Sequence, residues 1–331
     1  MVLALDDKWI WDSWYVRDGD SWHAFFLQAD KALEDPDLRH WNVSQGHATS
    51  TDLSNWSHLG TCFAPADRPA WDDYTTWTGS VVRDDDGLWH LFYTGTCHAE
   101  DGLIQRIGHA TSQDLHGWKR VGDGLCLDLA GPAAEAYEVD HALGFWHDRA
   151  MRDPWVMRDP AGDGWLMYFT ARAPGIAEPN GGGAIGFATS PDLYQWTLQE
   201  PVFIGGFGQL EVPEVFEKNG RRYCLFCTAA EHFSKDQAEA TPGGPVTGTH
   251  YLMADDPRGP WRIAPGPFLD GARPCRRYAA RIVHTDTGMM IMGFADRPEG
   301  KGFVGHIMDP EPVIIDEDGL LKVVSPAGPA A

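Results

Sequence analysis

Short apolar runs separated by tight polar turns cover this chain, and almost nowhere do apolar residues recur with a sustained 3.6-residue period. Five times a turn precedes an aromatic or aliphatic run. The turns are Asp18-Gly19-Asp20 before WHAFFL, Asp86-Gly87 before LWHLFY, Asp163-Gly164 before WLMYF, Asn219-Gly220 before RRYCLF and Thr287-Gly288 before MMIM. Asp-Gly and Asn-Gly between apolar runs predict β-hairpins, because a type I′ turn needs positive φ at both central residues. A ten-residue motif repeats downstream: HATSTDLSNW (47–56), HATSQDLHGW (109–118), FATSPDLYQW (187–196) and a degenerate LMADDPRGPW (252–261). Each copy reads as a third strand, an Asp-Leu turn, and an edge strand bearing Trp56, Trp118, Trp196 or Trp261.

Four antiparallel strands per unit, five times over, predict an all-β fold: a five-bladed β-propeller of four-stranded blades. A β-sandwich would not repeat a ten-residue motif three times. The fifth unit is the weakest, with RRYAARIVHTDTGMMIMGFA as its hairpin, and an N-terminal strand is expected to close the ring with it. Residues 1–331 are expected to form this single propeller domain with no C-terminal β-sandwich. Longer segments at roughly 29–43, 123–148 and 229–249 interrupt the pattern and are expected to wall a pocket.

The strand before each hairpin turn is the innermost of its blade, and equivalent positions on inner strands converge around the propeller axis. WIWDSWYV places Asp12 ten residues before Trp22, and RAMRDPWVM places Asp153 twelve before Trp165. QLEVPEVF places Glu211 twelve before Tyr223, and TTWTGSVV puts Thr78 eleven before Trp89. A carboxylate inside an apolar strand is costly unless paired, so three at matching repeat positions point to chemistry at one channel mouth. Glu214, three residues after Glu211, faces the other side of the strand and is the alternative there. The second RDP, Arg158-Asp159-Pro160, reads as a hairpin turn. Two carboxyls flanking a bond are the apparatus of glycoside cleavage, one ionised and one kept protonated for the leaving oxygen. Of 15 tryptophans, Trp11, Trp14 and Trp77 lie beside the acidic positions, where indoles can stack on sugar faces.

Composition narrows the partners. With 48 acidic against 26 basic residues, the formal charge is −22, and no Lys/Arg-rich run exists, which excludes nucleic acid. No stretch approaches ~18 apolar residues, so no membrane span is expected. The start, MVLALDDKWIWDSW, lacks a basic n-region and a long apolar core, so a cytoplasmic location is expected. Six cysteines are scattered. Cys224 and Cys227 sit in an apolar strand on opposite faces, as buried thiols rather than a metal site. The 14 histidines show no metal-ligand spacing beyond generic possibilities at His141 and His147, so no metal or cofactor is expected.

These residues carry a resemblance to the five-bladed furanosidase propellers, in particular the invertase and levansucrase superfamily, glycoside hydrolase families 32 and 68. Trp11-Asp12-Ser13-Trp14 is similar to the levansucrase WDSW motif. Trp77-Thr78-Gly79-Ser80 is similar to WSGS, Arg152-Asp153-Pro154 matches RDP, and Leu210-Glu211-Val212-Pro213-Glu214 resembles ECPD. The resemblance implies a retaining double displacement on β-fructofuranosides. Asp12 would be the nucleophile, Glu211 the acid/base and Asp153 the transition-state stabiliser. Trp11, Trp14, Trp77, Thr78, Ser80 and Arg152 would bind a small carbohydrate substrate. The chain departs from the family at WMNDPNG, which is absent, and at Val212, where ECPD has cysteine. The related family 43 propellers, which invert, would use the same three positions. Carboxyls about 5–5.5 Å apart imply retention and about 6.5–9.5 Å inversion. A non-catalytic sugar-binding propeller predicts affinity without turnover. A phosphorylase would need a cationic site, for which Arg273, Arg276, Arg277 and Arg281 are the candidates.

Overall fold

The hairpins become the inner halves of five antiparallel sheets in a computed structural model that describes residues 2–140 and 149–324. Blade I holds β1 (Lys8–Asp18), β2 (Ser21–Asp30), β3 (Ser44–Ser50) and β4 (Ser57–Phe63); blade II holds β5 (Thr75–Arg83), β6 (Trp89–Thr96), β7 (Arg106–Ser112) and β8 (Lys119–Leu127). Blade III holds β9 (Met151–Arg158), β10 (Trp165–Arg172), β11 (Gly183–Ser190) and β12 (Thr197–Ile204). Blade IV holds β13 (Glu211–Lys218), β14 (Arg221–Thr228), β15 (Thr247–Ala254) and the short β16 (Arg262–Ile263), with β17 (Asp270–Ala272) also paired to β15. Blade V holds β18 (Arg277–Thr285), β19 (Gly288–Ala295), β20 (Glu311–Ile315) and β21 (Leu321–Val323). Within each blade the strands follow chain order, and β1, β5, β9, β13 and β18 neighbour one another in a closed ring. This is the expected five-bladed propeller.

The repeated motif has a physical reason at each residue. Asp52, Asp114 and Asp192 each accept two backbone N–H groups from the following turn, at 2.7–3.2 Å. The next residue, Leu53, Leu115 or Leu193, has φ of 61–69° and buries its side chain. That left-handed backbone is unfavourable for leucine, and the Asp cap with the buried side chain offsets it. Trp56 and Trp196 close the turn by donating Nε1–H to Leu53 O and Leu193 O. Each tryptophan stands just before the outer strand rather than on it. Gly46, Gly108 and Gly186 lie under Phe26, Tyr93 and Phe169, where a Cβ would sit 2.2–2.3 Å from the ring.

Some details differ from expectation. Only Asn219-Gly220 has positive φ at both turn positions, 54° and 75°. In blade V the two-residue turn is Asp286-Thr287, one residue earlier than expected. The N-terminal segment adds no full strand to blade V and instead clasps it through one bridge, Leu3 to Ile307, with N–H to O distances of 3.1 and 3.0 Å. Cys224 and Cys227 are free and buried, and they pack into separate core clusters. His141 and His147 lie outside the described residues. Among the described residues, no helix is long and apolar enough to cross a membrane.

Candidate active site

Every inner strand carries one extra residue at the same register. The pairing slips between Trp11 and Ser13, Trp77 and Gly79, Arg152 and Trp155, Glu211 and Glu214, and Tyr278 and Arg281. Such a bulge bends the strand and re-aims its side chains. Asp12, Asp153, Val212 and Ala279 take positive φ there, at 28°, 59°, 54° and 47°. Three rings of equivalent positions result. The first is Trp11, Trp77, Arg152, Glu211 and Tyr278. The second, on the bulge, is Asp12, Thr78, Asp153, Val212 and Ala279. The third, below them, is Trp14, Ser80, Trp155, Glu214 and Arg281.

A pocket of about 720 Å³ opens over the first two rings, and all their members except Ala279 line it. Asp12, Asp153 and Glu211 therefore share one depression. Glu211, however, does not occupy the register of Asp12 and Asp153; Val212 does. The count from the hairpin slips by one because its anchors differ: Trp22 and Trp165 pair with Arg17 and Arg158, five residues past the bulge, whereas Tyr223 pairs with Phe216, four past Val212.

Trp14 and Ser80 are the two predicted binding residues that the structure moves away from the pocket. Trp14 is buried against Phe25, its ring stacked at 6.2 Å. Ser80 is buried between blades, where its Oγ accepts the Val156 N–H at 3.1 Å. Both sit in the third ring, below the floor. Trp11, Trp77, Thr78 and Arg152 do line the pocket. Trp77 is fixed by donating Nε1–H to His40 O at 2.8 Å.

Hydrogen bonds tie the carboxyls across blades. Thr78 Oγ1 donates to Asp12. Asp153 Oδ2 accepts from Thr170 Oγ1 at 2.9 Å and from the Val212 N–H at 3.1 Å. Glu211 accepts from Arg152 Nη2 at 2.8 Å and from the Tyr278 hydroxyl at 2.6 Å. Arg152 is held by Gln209 at 2.6 Å and Gln105 at 3.4 Å. Burial pushes Asp12 up to about 7, and the neighbouring Asp153 charge adds to this. Burial also raises Asp153. Burial pulls Glu211 upward too, but the Arg152 guanidinium and the Tyr278 hydroxyl outweigh it and hold the group below its usual range. Asp12 is thus shifted towards holding a proton and Glu211 away from it, opposite to the expected order.

Sequence reasoning missed several pocket residues. Tyr278 is the first-ring member of blade V, within reach of the same repeat argument had it been carried one blade further. Arg39, His40 and Trp41 come from the 29–43 segment, and Ala229, Glu231 and Thr247 from 229–249, as expected of those segments. The described part of 123–148 contributes nothing, whereas Gly102, Leu103 and Gln105 follow β6 unannounced by any motif. Trp41 is 37% exposed at the rim and stacks on Tyr74 at 5.2 Å. None of Arg273, Arg276, Arg277 and Arg281 lines the pocket. Arg276 and Arg277 are ion-paired with Asp270 and Glu311, and the guanidinium groups that do line the pocket are those of Arg39, Arg152 and Arg297. Among the described residues, no group of three or more His, Cys, Asp or Glu is arranged to hold a metal ion.

The profile described as "Glycosyl hydrolases family 32 N-terminal domain" matches residues 12–244, which begin at Asp12 and include Asp153 and Glu211. The chain belongs to glycosyl hydrolase family 32. Among its relatives, a sucrose-6-phosphate hydrolase of Escherichia coli is 29% identical over 216 residues, covering 62% of this chain and 38% of that protein. A levanase of Bacillus sp. (strain L7) is 25% identical over 279 residues, covering 77% of this chain and 26% of that protein. The chain thus spans well under half the length of these curated relatives. In fold it is similar to an inulosucrase from Halalkalicoccus jeotgali bound to kestose, with a TM-score of 0.76 at 22% identity, covering 96% of this chain and 87% of that one. Bacillus subtilis levansucrase superposes with a TM-score of 0.73 at 16% identity, covering 96% and 86%.

Proposed function

We propose that this family 32 chain is a retaining glycosidase or transglycosylase for β-fructofuranosides of the sucrose or fructo-oligosaccharide type. The observation that carries the reading is the meeting of Asp12, Asp153 and Glu211 in one pocket, with Trp11, Trp77, Thr78 and Arg152 around them. The names of the relatives, among them sucrose-6-phosphate hydrolase, raffinose invertase and levanase, support the substrate class. Asp12 attacks the anomeric carbon, and the glycosidic C–O bond breaks as Glu211 gives its proton to the leaving oxygen. Water or an acceptor hydroxyl then attacks the fructosyl-enzyme, Glu211 takes its proton, and Asp12 leaves as the carboxylate. Asp153 accepts hydrogen bonds from ring hydroxyls while positive charge develops, and forms no covalent bond.

The first step needs one proton on the Asp12–Glu211 pair, held by Glu211. Burial raises the proton affinity of Asp12 while Arg152 and Tyr278 lower that of Glu211, so the balance of the pair leans towards Asp12. A bound sugar shifts it for two reasons. Filling the pocket removes water from Glu211 and raises its affinity for the proton. The oxocarbenium-like charge at the anomeric carbon favours ionised Asp12. The pair then titrates as a unit, with macroscopic values that belong to neither group alone.

Incubation with sucrose and with inulin- and levan-type fructans tests the reading. Asp12→Asn or Glu211→Gln is expected to abolish fructoside turnover with the circular-dichroism spectrum unchanged, and full activity in either variant disposes of the assignment. Acid quenching followed by peptide mass spectrometry is expected to find the fructosyl group on Asp12. A label on Glu211 would exchange the two roles. NMR of the first-formed product anomer separates retention from inversion.

A further inference from the structure

Glu214 and Arg281 are charged, belong to adjacent blades, and play no part in the chemistry above. Both occupy the third ring, directly beneath the catalytic positions. Glu214 is 2% and Arg281 1% exposed. Arg281 Nη1 donates to Pro213 O at 2.6 Å and to Val212 O at 3.4 Å. Its guanidinium lies over the Trp155 ring, 5.0 Å from the centroid, and Trp155 itself donates Nε1–H to Val215 O at 2.9 Å. Glu214 accepts the Ile282 N–H at 2.7 Å, so each blade holds the backbone of the other.

The carbonyls that Arg281 grips belong to the bulge that immediately follows Glu211. Val212 is therefore fixed on both sides, its N–H by Asp153 and its carbonyl by Arg281. Arg281 Nε and Nη2 have no hydrogen-bond partner among the described residues. A buried cation that uses only part of its donor capacity is expensive to keep for packing alone. We propose, on the strength of the functional reading above, that Arg281 is a positioning residue. It locks the bulge that sets Glu211 against Asp153 and places a positive charge one ring below Asp12.

Arg152, His40 and His232 surround Glu211, and the Cys224 thiol lies near Glu214 and Arg281. Asp12 faces Asp153 on β9, Glu211 on β13 and Arg281 on β18. Arg39 reaches it from the rim, and the Tyr278 hydroxyl and Cys227 thiol lie near it. Glu214 and the Tyr15 phenol face Arg281 from β13 and β1. Of the cations, Arg281 lies below Asp12 and Arg39 above it.

The test uses the full chain with sucrose. Arg281→Met is expected to lose roughly 10–100-fold in kcat, the scale set by sub-ångström misplacement of reacting groups, with KM within about twofold. Its acid limb should move to higher pH, because Asp12 has lost a neighbouring cation. Arg281→Lys should return the limb to the wild-type position while recovering only part of kcat, since an ammonium keeps the charge but has no planar guanidinium to lie over the Trp155 ring and hold the donor at those carbonyls. A purely structural role would lower the melting temperature and leave the pH limb in place, and that result overturns the proposal. If Arg281→Met does not fold, Arg281→Lys decides alone, and wild-type kcat in that variant refutes the clamp. Carboxyl-carbon NMR titration of Asp12 reads the same shift without substrate. It therefore separates failure of this proposal from failure of the fructosidase reading, which an inactive wild type would signal.

Discussion

Acidification should destabilise this propeller through a histidine that no catalytic step uses. His109 on β7 is 2% exposed, lies flat on Phe92 at 4.5 Å, and pairs with His90 on β6, Nε2 to Nδ1 at 2.8 Å. His90 Nε2 lies 3.1 Å from Asp84 Oδ2. The Asp84 carboxylate can only accept, so His90 Nε2 carries the proton, His90 Nδ1 accepts, and His109 Nε2–H donates. A second proton on His109 would put a charge on a buried ring. Burial, aided by His90, lowers it from the usual 6.5 to about 3. The unfolded chain therefore binds a proton between about pH 6.5 and 3 that the native state refuses, so stability falls as pH drops through that window. At ~1.36 kcal/mol per pH unit, the loss from this one group between pH 8 and 4.5 is about 2–3 kcal/mol. Asp12 and Glu214, both raised to about 7, contribute with the opposite sign, so the wild-type curve alone cannot isolate it. His109→Gln keeps a donor for His90 but does not titrate. Urea unfolding followed by tryptophan fluorescence should find it about 1 kcal/mol weaker than wild type at pH 8, from lost stacking. By pH 4.5 it should equal or exceed the wild type. Parallel stability curves from pH 8 to 4.5 would refute the reasoning.

Gly108→Ala puts a Cβ 2.2 Å from Tyr93 Cζ, so the ring must leave its site and forfeit the 2.8 Å bond from its hydroxyl to Asp72. Overpacking together with that lost charged hydrogen bond is expected to cost about 3 kcal/mol or more, which a thermal melt reads directly; an unchanged midpoint contradicts it. Tyr278→Phe removes a donor that keeps Glu211 ionised. The activity limb controlled by Glu211 should then move to higher pH in a chain of unchanged fold, and an unmoved limb would show that the hydroxyl does not tune Glu211.

The propeller was legible because each blade repeats local chemistry: a tight turn, a glycine under an aromatic ring, an Asp-capped leucine. Asp12 and Asp153 were legible for the same reason, standing at equivalent places on inner strands. Glu211 reaches the pocket on an argument one position out, because Tyr223 does not hold the register of Trp22 and Trp165 and so misplaces a count taken from it. Trp14 and Ser80 show the opposite error. They belong to short motifs that carry real pocket residues, but the bulge between Trp11 and Trp14, or Trp77 and Ser80, turns the later residue downward. The order of protonation was hidden because it depends on Arg152 and Tyr278 reaching Glu211 across sequence gaps of 59 and 67 residues. Gly102, Leu103 and Gln105 carried no signal, since their contribution depends only on where the loop after β6 lands.

The matching bulges also confine what this molecule must change to acquire a different specificity. Each blade presents just two consecutive inner-strand positions to the pocket, and nine of those ten side chains reach it. The remaining strands add little to that patch: Leu27, Thr247 and Phe294 reach the lining from β2, β15 and β19. Mutagenesis confined to the seven of those codons other than Asp12, Asp153 and Glu211 can therefore sample new pocket floors while the turns, glycines and capped leucines that build the ring stay untouched.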